Sequence, residues 1–251
     1  MSTTLTLFKN EIYRGNLILV NAKFPLVTHS NVELIPTNEK YSDILLERSA
    51  ATILSHIMRD VNCIDEIVPV SGYRSKEKQE QIYLESLQES GQEFTEKYVA
   101  LPNHSEHQTG LAIDLGLKKD VIDFIRPDFP YKGICDEFRK TAPQYGFIER
   151  YPSGKETITG IAHEPWHFRF VGFPHSKIIV EQELSLEEYI QDIKKYTYDG
   201  KHLEVIRGEH KIEIFYAPIL SFDKITLCMP EYCSYQVSGN NADGFIITLW
   251  R

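Results

Sequence analysis

The stretch Ser105-Glu106-His107-Gln108-Thr109-Gly110-Leu111-Ala112-Ile113-Asp114 decides how this chain is read. After Gly110 the residue types alternate. Leu111, Ile113 and Leu115 point one way and Ala112, Asp114 and Gly116 the other, the two-residue period of a β-strand. The aliphatic side belongs to a core. The opposite side is small, charged, small, the pattern of a strand that floors a cleft. A carboxylate among aliphatics costs on the order of several kcal/mol if it is buried unpaired, so Asp114 needs a positive partner. A metal ion is one such partner and an arginine is the other.

Moving outward, the second informative stretch is His163-Glu164-Pro165-Trp166-His167-Phe168-Arg169-Phe170. In a strand, His167 and Arg169 share one face, and Phe168 and Phe170 the other. Glu164 lies three residues before His167, which in a straight strand puts it on the wrong side. Pro165 predicts a bend or bulge there that returns Glu164 to the His167 face. Trp166 either walls a pocket or joins the core. Together the two stretches supply two imidazoles and a carboxylate, the kind of three-ligand set that catalytic zinc sites use with a fourth position left for water. Zinc makes such a water acidic near neutral pH, and a carboxylate that is not a ligand, here Glu164, can take its proton.

The surrounding sequence predicts an α+β fold, a small, mainly antiparallel sheet with helices packed on one face. Residues 1–40 read as turn-rich loop with a short strand at Leu17–Val20. Helical spacing runs from Tyr41 to Val61. A buried strand follows at Ile67–Val70, then a helix over Lys76–Glu89 capped by Ser75. Residues 90–108 read as a long loop and Leu111–Leu115 as a strand. A helix over 133–145 stops at Gly146, and Phe147–Arg150 and Trp166–Val171 are strands. Ser185 and Glu188 form a capping box opening a helix to about Lys195. The composition then turns β-like, at Leu203–Ile206, Lys211–Tyr216, Lys224–Met229 and Phe245–Trp250, with turn chemistry over Asn240–Gly244. The expected division is 1–198 as the catalytic domain and 199–251 as a small β appendage.

Composition narrows the function. The chain has 251 residues, a formal net charge of −9 and 42% hydrophobic residues. It lacks the Lys/Arg clusters that nucleic acid or an anionic membrane surface would require. No run approaches the roughly 18 apolar residues of a transmembrane helix, and MSTTLTLFKNEIYRG lacks the pattern of a secretory signal, so a cytoplasmic location is expected. Cys63, Cys135, Cys228 and Cys233 form no CxxC pair and read as reduced structural thiols.

Three motifs in order, Ser71-Gly72-Tyr73-Arg74-Ser75, Ser105-x-His107-x-x-Gly110-x-Ala112-x-Asp114 and Glu164-Pro165-Trp166-His167, resemble the D-alanyl-D-alanine carboxypeptidase/dipeptidase family of zinc peptidases. That family includes the VanX, VanY and VanXY enzymes of glycopeptide resistance. The likeness runs from about residue 40 to 196 and includes Gly146-Phe147-x-x-Arg150-Tyr151-Pro152 and Leu186-Glu187-Glu188-Tyr189. The resemblance implies one zinc ion per chain on His107, Asp114 and His167, with Glu164 as catalytic base. It also implies that Arg74 stabilises the scissile carbonyl oxygen; the plain alternative for Arg74 is a surface ion pair. Gln79 and Ser105 are expected substrate contacts. His163 and His104 are expected to be bystanders.

The longer motifs resemble the VanY branch more than the VanX branch. With no visible signal, the resemblance is to VanXY enzymes, which cleave both the D-Ala-D-Ala dipeptide and the UDP-linked muramyl pentapeptide. Vancomycin resistance is the implied role. The alternatives are a carboxypeptidase or endolysin-like peptidase only, or a zinc-binding module without hydrolysis.

Overall fold

A computed structural model describes residues 2–27, 32–219 and 223–251. Residues 28–31 of the expected N-terminal loop lie outside the described residues. In chain order the strands of the first two-thirds are β1 (Ser2–Phe8), β2 (Leu34–Pro36), β3 (Leu45–Glu47), β4 (Ile67–Ser71), β5 (Ala112–Leu117), β6 (Phe147–Tyr151) and β7 (Glu164–Phe170). The helices are α1 (Arg48–Asp60), α2 (Lys76–Ser90), α3 (Gln92–Tyr98), α4 (Gly133–Tyr145), α5 (Glu156–Thr159), α6 (His175–Glu181) and α7 (Leu186–Ile193). Five strands close the chain: β8 (Leu203–Arg207), β9 (His210–Pro218), β10 (Lys224–Pro230), β11 (Ser234–Gly239) and β12 (Gly244–Trp250).

Two compact units result, one of residues 20–185 and one of residues 1–19 with 186–251. Their boundary departs from the expected cut at 198/199. β1 pairs antiparallel with β10 and so joins the C-terminal unit, and α7 belongs there too.

The larger unit is built on an antiparallel sheet of order β4-β5-β7-β6. One sheet face carries Ile113, Leu115, Phe147, Phe168 and Phe170, which share a core with Ala50, Leu54 and Ile57 of α1 and Phe138 and Ala142 of α4. Phe168 is fully buried, edge-on to Phe129 and Phe138 at ring distances of 5.3 and 5.2 Å. This is the α+β arrangement the alternation predicts. Its parity leaves Asp114 and His167 on the other face. The register then sets them side by side: Ser71 opposes Asp114, and Asp114 opposes His167.

Several local expectations change. The helix predicted from Tyr41 begins only at Arg48, because the Glu47 carboxylate accepts from the amides of Ser49 and Ala50 and caps it there. Residues Leu45–Glu47 before it pair with β2. The expected loop at 90–108 contains α3 and a 3₁₀ turn at Glu106–Thr109. α3 carries surface pairs, Gln92 to Glu96 and Lys97 to Glu93, and a single aromatic pair, Phe94 with Tyr98, too short an apolar pattern to predict a helix from sequence. Leu17–Val20 is buried but forms no strand; the Leu17 amide bonds to Ser238 Oγ at 2.9 Å instead of to a ladder. Ser75 caps α2 and Gly146 ends α4 with φ 105°, both as read from sequence.

The C-terminal unit holds a sheet of order β11-β12-β9-β8 and the β1–β10 pair. Its core gathers Leu7, Ile12, Phe215, Phe245 and Ile247. The predicted turn at 240–244 is organised by Asn240 Oδ1, which accepts from the amides of Ala242, Asp243 and Gly244.

Candidate active site

Three segments converge on the polar face of the β4-β5-β7-β6 sheet. The first leaves β4 at Ser71. Gly72 lies so close to the Leu45 carbonyl that a Cβ there would sit 2.3 Å from its oxygen, so no other residue fits without moving the strand. That close approach turns the Gly72 carbonyl to His107, whose Nδ1 donates to it at 2.7 Å. The second segment is the 3₁₀ turn, which ends on Gly110 at φ 74°; a side chain there would also crowd the Glu47 amide at 3.1 Å. The third is the start of β7. Its pairing with β6 slips between Glu149 opposite Phe168 and Tyr151 opposite Glu164, the irregularity expected at Pro165. The slip brings Glu164 Oε2 to 3.6 Å from His167 Nδ1.

His107, Asp114 and His167 are all buried, and one ligand atom from each lies within 4.8 Å of the others. His107 Nε2 is 3.2 Å from Asp114 Oδ2, and His167 Nδ1 is 3.0 Å from Asp114 Oδ1. The two imidazole planes are perpendicular, with centroids 4.9 Å apart. Burial, helped by the Arg74 guanidinium, lowers the His107 pKa to about 4, so this ring is neutral at pH 7. With its Nδ1 proton committed to Gly72, the His107 Nε2 lone pair faces a carboxylate oxygen. Acceptor then faces acceptor, an arrangement that a cation between them relieves. Asp114 Oδ1, moreover, is buried without a hydrogen bond of its own. Two imidazoles and a carboxylate suit zinc, whereas magnesium and calcium prefer oxygen alone. The residues therefore fit a zinc ion.

The charges around this centre are strongly coupled. Burial alone would raise the Asp114 pKa, but His107 and His167 together hold it well below the usual carboxylate range. Burial opposes the charge on His167 as well. There the contacts to Asp114 and Glu106 outweigh it, and the pKa rises to about 9. Glu164 is pushed up to about 8 by burial, with Asp114 adding to the rise while His167 and Arg74 pull against it.

Arg74 points into the same space. Its Nη2 donates to Asp114 Oδ2 at 2.8 Å and its Nε to Ser71 Oγ at 2.8 Å. It is therefore not a surface ion pair: it is the arginine that the alternative reading of Asp114 called for. Gln79 is buried, donates to the Ala100 carbonyl at 2.8 Å, and takes a 3.4 Å hydrogen bond from Arg74 Nη1. Arg74, Gln79, Ser105, Glu164 and Trp166 line a cavity of about 40 Å³ together with the two histidines and Asp114. Trp166 also packs in the core, so both readings of it hold. The two histidines expected to be bystanders are not in this three-residue group. His163 lies 2.6 Å from the Tyr131 hydroxyl, and His104 Nδ1 is 2.7 Å from the Asn21 carbonyl.

Glu106 was not singled out from sequence, yet it is buried beside His167 with Arg150 and Arg169 against it. A signal existed. Arg169 sits between Phe168 and Phe170 in its strand, and a guanidinium among aromatics implies a buried acid; Glu106 neighbours a candidate ligand.

Comparison with known proteins follows the same lines. The family model described as "VanY: D-alanyl-D-alanine carboxypeptidase" matches residues 43–173. The bifunctional D-Ala-D-Ala dipeptidase and D-Ala-D-Ala carboxypeptidase VanXYC of Enterococcus gallinarum is 42% identical over 179 residues, covering 70% of this chain and 93% of that protein. A solved structure of the vancomycin resistance D,D-dipeptidase VanXYg, in complex with a D-Ala-D-Ala phosphinate analog, is 56% identical, covers 100% of both chains and has a TM-score of 0.97. A mutant of the D,D-pentapeptidase VanY from a VanB-type resistance cassette, in complex with Zn(II), is 30% identical over 70% of this chain and 98% of its own, with a TM-score of 0.57. With the matched residues spanning all three motifs, this chain belongs to the VanY family of D-alanyl-D-alanine carboxypeptidases.

Proposed function

We propose that this chain is a zinc-dependent D,D-dipeptidase and D,D-carboxypeptidase, acting on D-Ala-D-Ala and on the UDP-linked muramyl pentapeptide. The observation that carries the reading is the buried His107–Asp114–His167 triad with Glu164 and Arg74 on either side of it. Zinc, when bound there, supplies the Lewis acidity that makes a water nucleophilic near neutral pH. Glu164 takes the proton from the attacking water and returns it to the leaving amine of D-alanine. In the metal-free protein burial raises this carboxyl to about 8; a zinc ion beside it would favour the ionised form that a base requires. Arg74 stabilises negative charge as it grows on the scissile carbonyl oxygen, and Gln79 holds the guanidinium in place. Trp166 and Ser105 close the walls of the cavity.

Room for the longer substrate comes from a second cavity, of about 270 Å³, which shares Val99, Ala100, Tyr151 and Ile161 with the first. The chain on the amino side of the scissile bond fits this contiguous space, whereas the dipeptide does not need it. Ala22→Trp, on its wall, is expected to raise KM for the pentapeptide several-fold and leave the dipeptide unchanged. Equal kinetics on both substrates would take the second cavity out of the reading.

Metal binding carries its own pH signature. A His167 pKa of about 9 means that zinc displaces a proton from this ring at pH 7. Apparent affinity should therefore rise about tenfold per pH unit between pH 6 and 8. Calorimetry in buffers of different ionisation enthalpy measures the released proton directly, and a flat profile would mean that His167 is already neutral in the metal-free protein.

The role that follows is glycopeptide resistance inside the cell. Removal of D-Ala-ended precursors leaves wall synthesis to D-Ser- or D-lactate-ended ones, to which vancomycin binds poorly. No helix among the described residues is long and apolar enough to cross a membrane. The deciding experiment compares D-alanine release by the zinc-loaded protein from dipeptide and pentapeptide, with D-Ala-D-Ser as control. Release from the pentapeptide alone would reduce the reading to a carboxypeptidase, and release from neither would overturn it.

A further inference from the structure

We infer that Glu106 is a positioning residue for the metal site: it holds the Nε2–H of His167 and thereby presents the Nδ1 lone pair of that ring to the triad. The inference rests on the zinc reading above and deepens it.

Two observations carry it. Glu106 Oε2 and His167 Nε2 are each buried with no hydrogen bond, and they face one another 3.7 Å apart. Each is the group the other lacks. The second observation is how the carboxylate is held. Arg150 Nε donates to Oε1 at 2.8 Å and Arg169 Nη1 lies 2.9 Å from that same oxygen, with all three side chains fully buried. An acid present only to balance two guanidiniums would be expected to divide its two oxygens between them. Here Arg150 Nε and Arg169 Nη1 both lie against Oε1, and Oε2, which accepts no hydrogen bond, faces the imidazole.

The consequence is a choice of nitrogen. His107 is committed through Nδ1–H to the Gly72 carbonyl and so offers Nε2. His167, with Nε2–H toward Glu106, offers the opposite atom, Nδ1, which is the one lying 3.0 Å from Asp114 Oδ1. A neutral ring of the other tautomer would aim a proton at the triad in place of a lone pair. A carboxylate behind a ligating imidazole also increases its basicity, and losing such a group lowers metal affinity by about 10–100-fold. Closing the gap to the 2.7–2.9 Å or so of a charge-assisted hydrogen bond needs a movement of under roughly an ångström.

The test uses the full chain. Long-range proton–nitrogen spectra of ¹⁵N-histidine-labelled protein, with and without zinc, read the tautomer of each ligand. The expected result is Nε2–H for His167 and Nδ1–H for His107 in the zinc form. Glu106→Gln should raise the zinc dissociation constant about 10–100-fold and shift the visible bands of the cobalt-substituted protein, with kcat reduced more than KM is raised. A purely structural Glu106 would lower the unfolding temperature and leave zinc affinity and the cobalt bands unchanged, which would overturn the inference. So would an Nδ1–H tautomer of His167 in the zinc form. If Glu106→Gln fails to fold, the wild-type spectrum decides alone. If zinc moves neither His107 nor His167, the metal site itself has been misread, an outcome distinct from the wrong tautomer.

Discussion

Glu164→Ala is expected to abolish D-alanine release, lowering kcat by about 10²–10⁴-fold, the usual contribution of a positioned acid–base group. Zinc content stays at the wild-type level, because Glu164 stands outside the three-residue ligand group. Metal analysis alongside single-turnover rates checks both halves of this result. Unchanged turnover would remove Glu164 as the base, and loss of zinc would move it into the ligand set.

Glu164→Gln adds a stability readout of opposite sign. In the metal-free protein, folding raises the pKa of this carboxyl from 4.5 to about 8, chiefly through burial. A group raised in this way stabilises the fold while protonated. Its contribution is complete below the unfolded value near 4.5 and is lost as pH rises through about 8. The glutamine variant lacks that loss, so its metal-free form should unfold no lower than wild type at pH 8 while being inactive when loaded. Damage to packing would instead lower both activity and melting temperature.

What the sequence made legible was the part governed by parity and by side-chain chemistry. Alternation about Ile113 and Phe168 separates a core face from a polar face, and the structure keeps that separation. Pro165 announced the slip that returns Glu164 to His167, since a residue without an amide cannot continue a regular ladder. What stayed hidden was held by long-range partners. β1 is a run of threonine and leucine whose pairing partner, β10, lies more than two hundred residues away, with Ser2 opposite Pro230. Nothing local marks such a pairing, so the expected cut at 198/199 keeps residues 1–19 with the catalytic domain, whereas the compact units join them to 186–251. In α3 the one apolar pair at helical spacing, Phe94 with Tyr98, is too short a period to separate a helix from a loop among polar neighbours. Glu106 escaped for a different reason. An acid in a polar turn reads as solvated until Arg150 and Arg169, distant in sequence, are seen to close over it.

The second large effect is at Arg74, and it separates catalysis from metal binding. Arg74→Ala should lower kcat by about 10²–10³-fold, the typical loss for one donor to a developing oxyanion. It should also leave zinc affinity undiminished, or increase it. The guanidinium now donates to Asp114 Oδ2, the oxygen that also lies 3.2 Å from His107 Nε2, so it occupies a lone-pair direction a cation would use. Its charge also disfavours positive charge at His107, where it is the second cause of the lowered pKa after burial. Removing it relieves both. A residue that merely held Asp114 for the metal would give the opposite pattern, with affinity and kcat falling together. Arg74→Lys keeps the charge but not the fork that reaches Ser71 Oγ and Asp114 Oδ2 at once, so it should recover little of the rate. Steady-state kinetics paired with zinc titration of the two variants decides the matter: a fall in affinity for Arg74→Ala makes the arginine a support for the ligand, and a fall in kcat alone makes it the oxyanion partner.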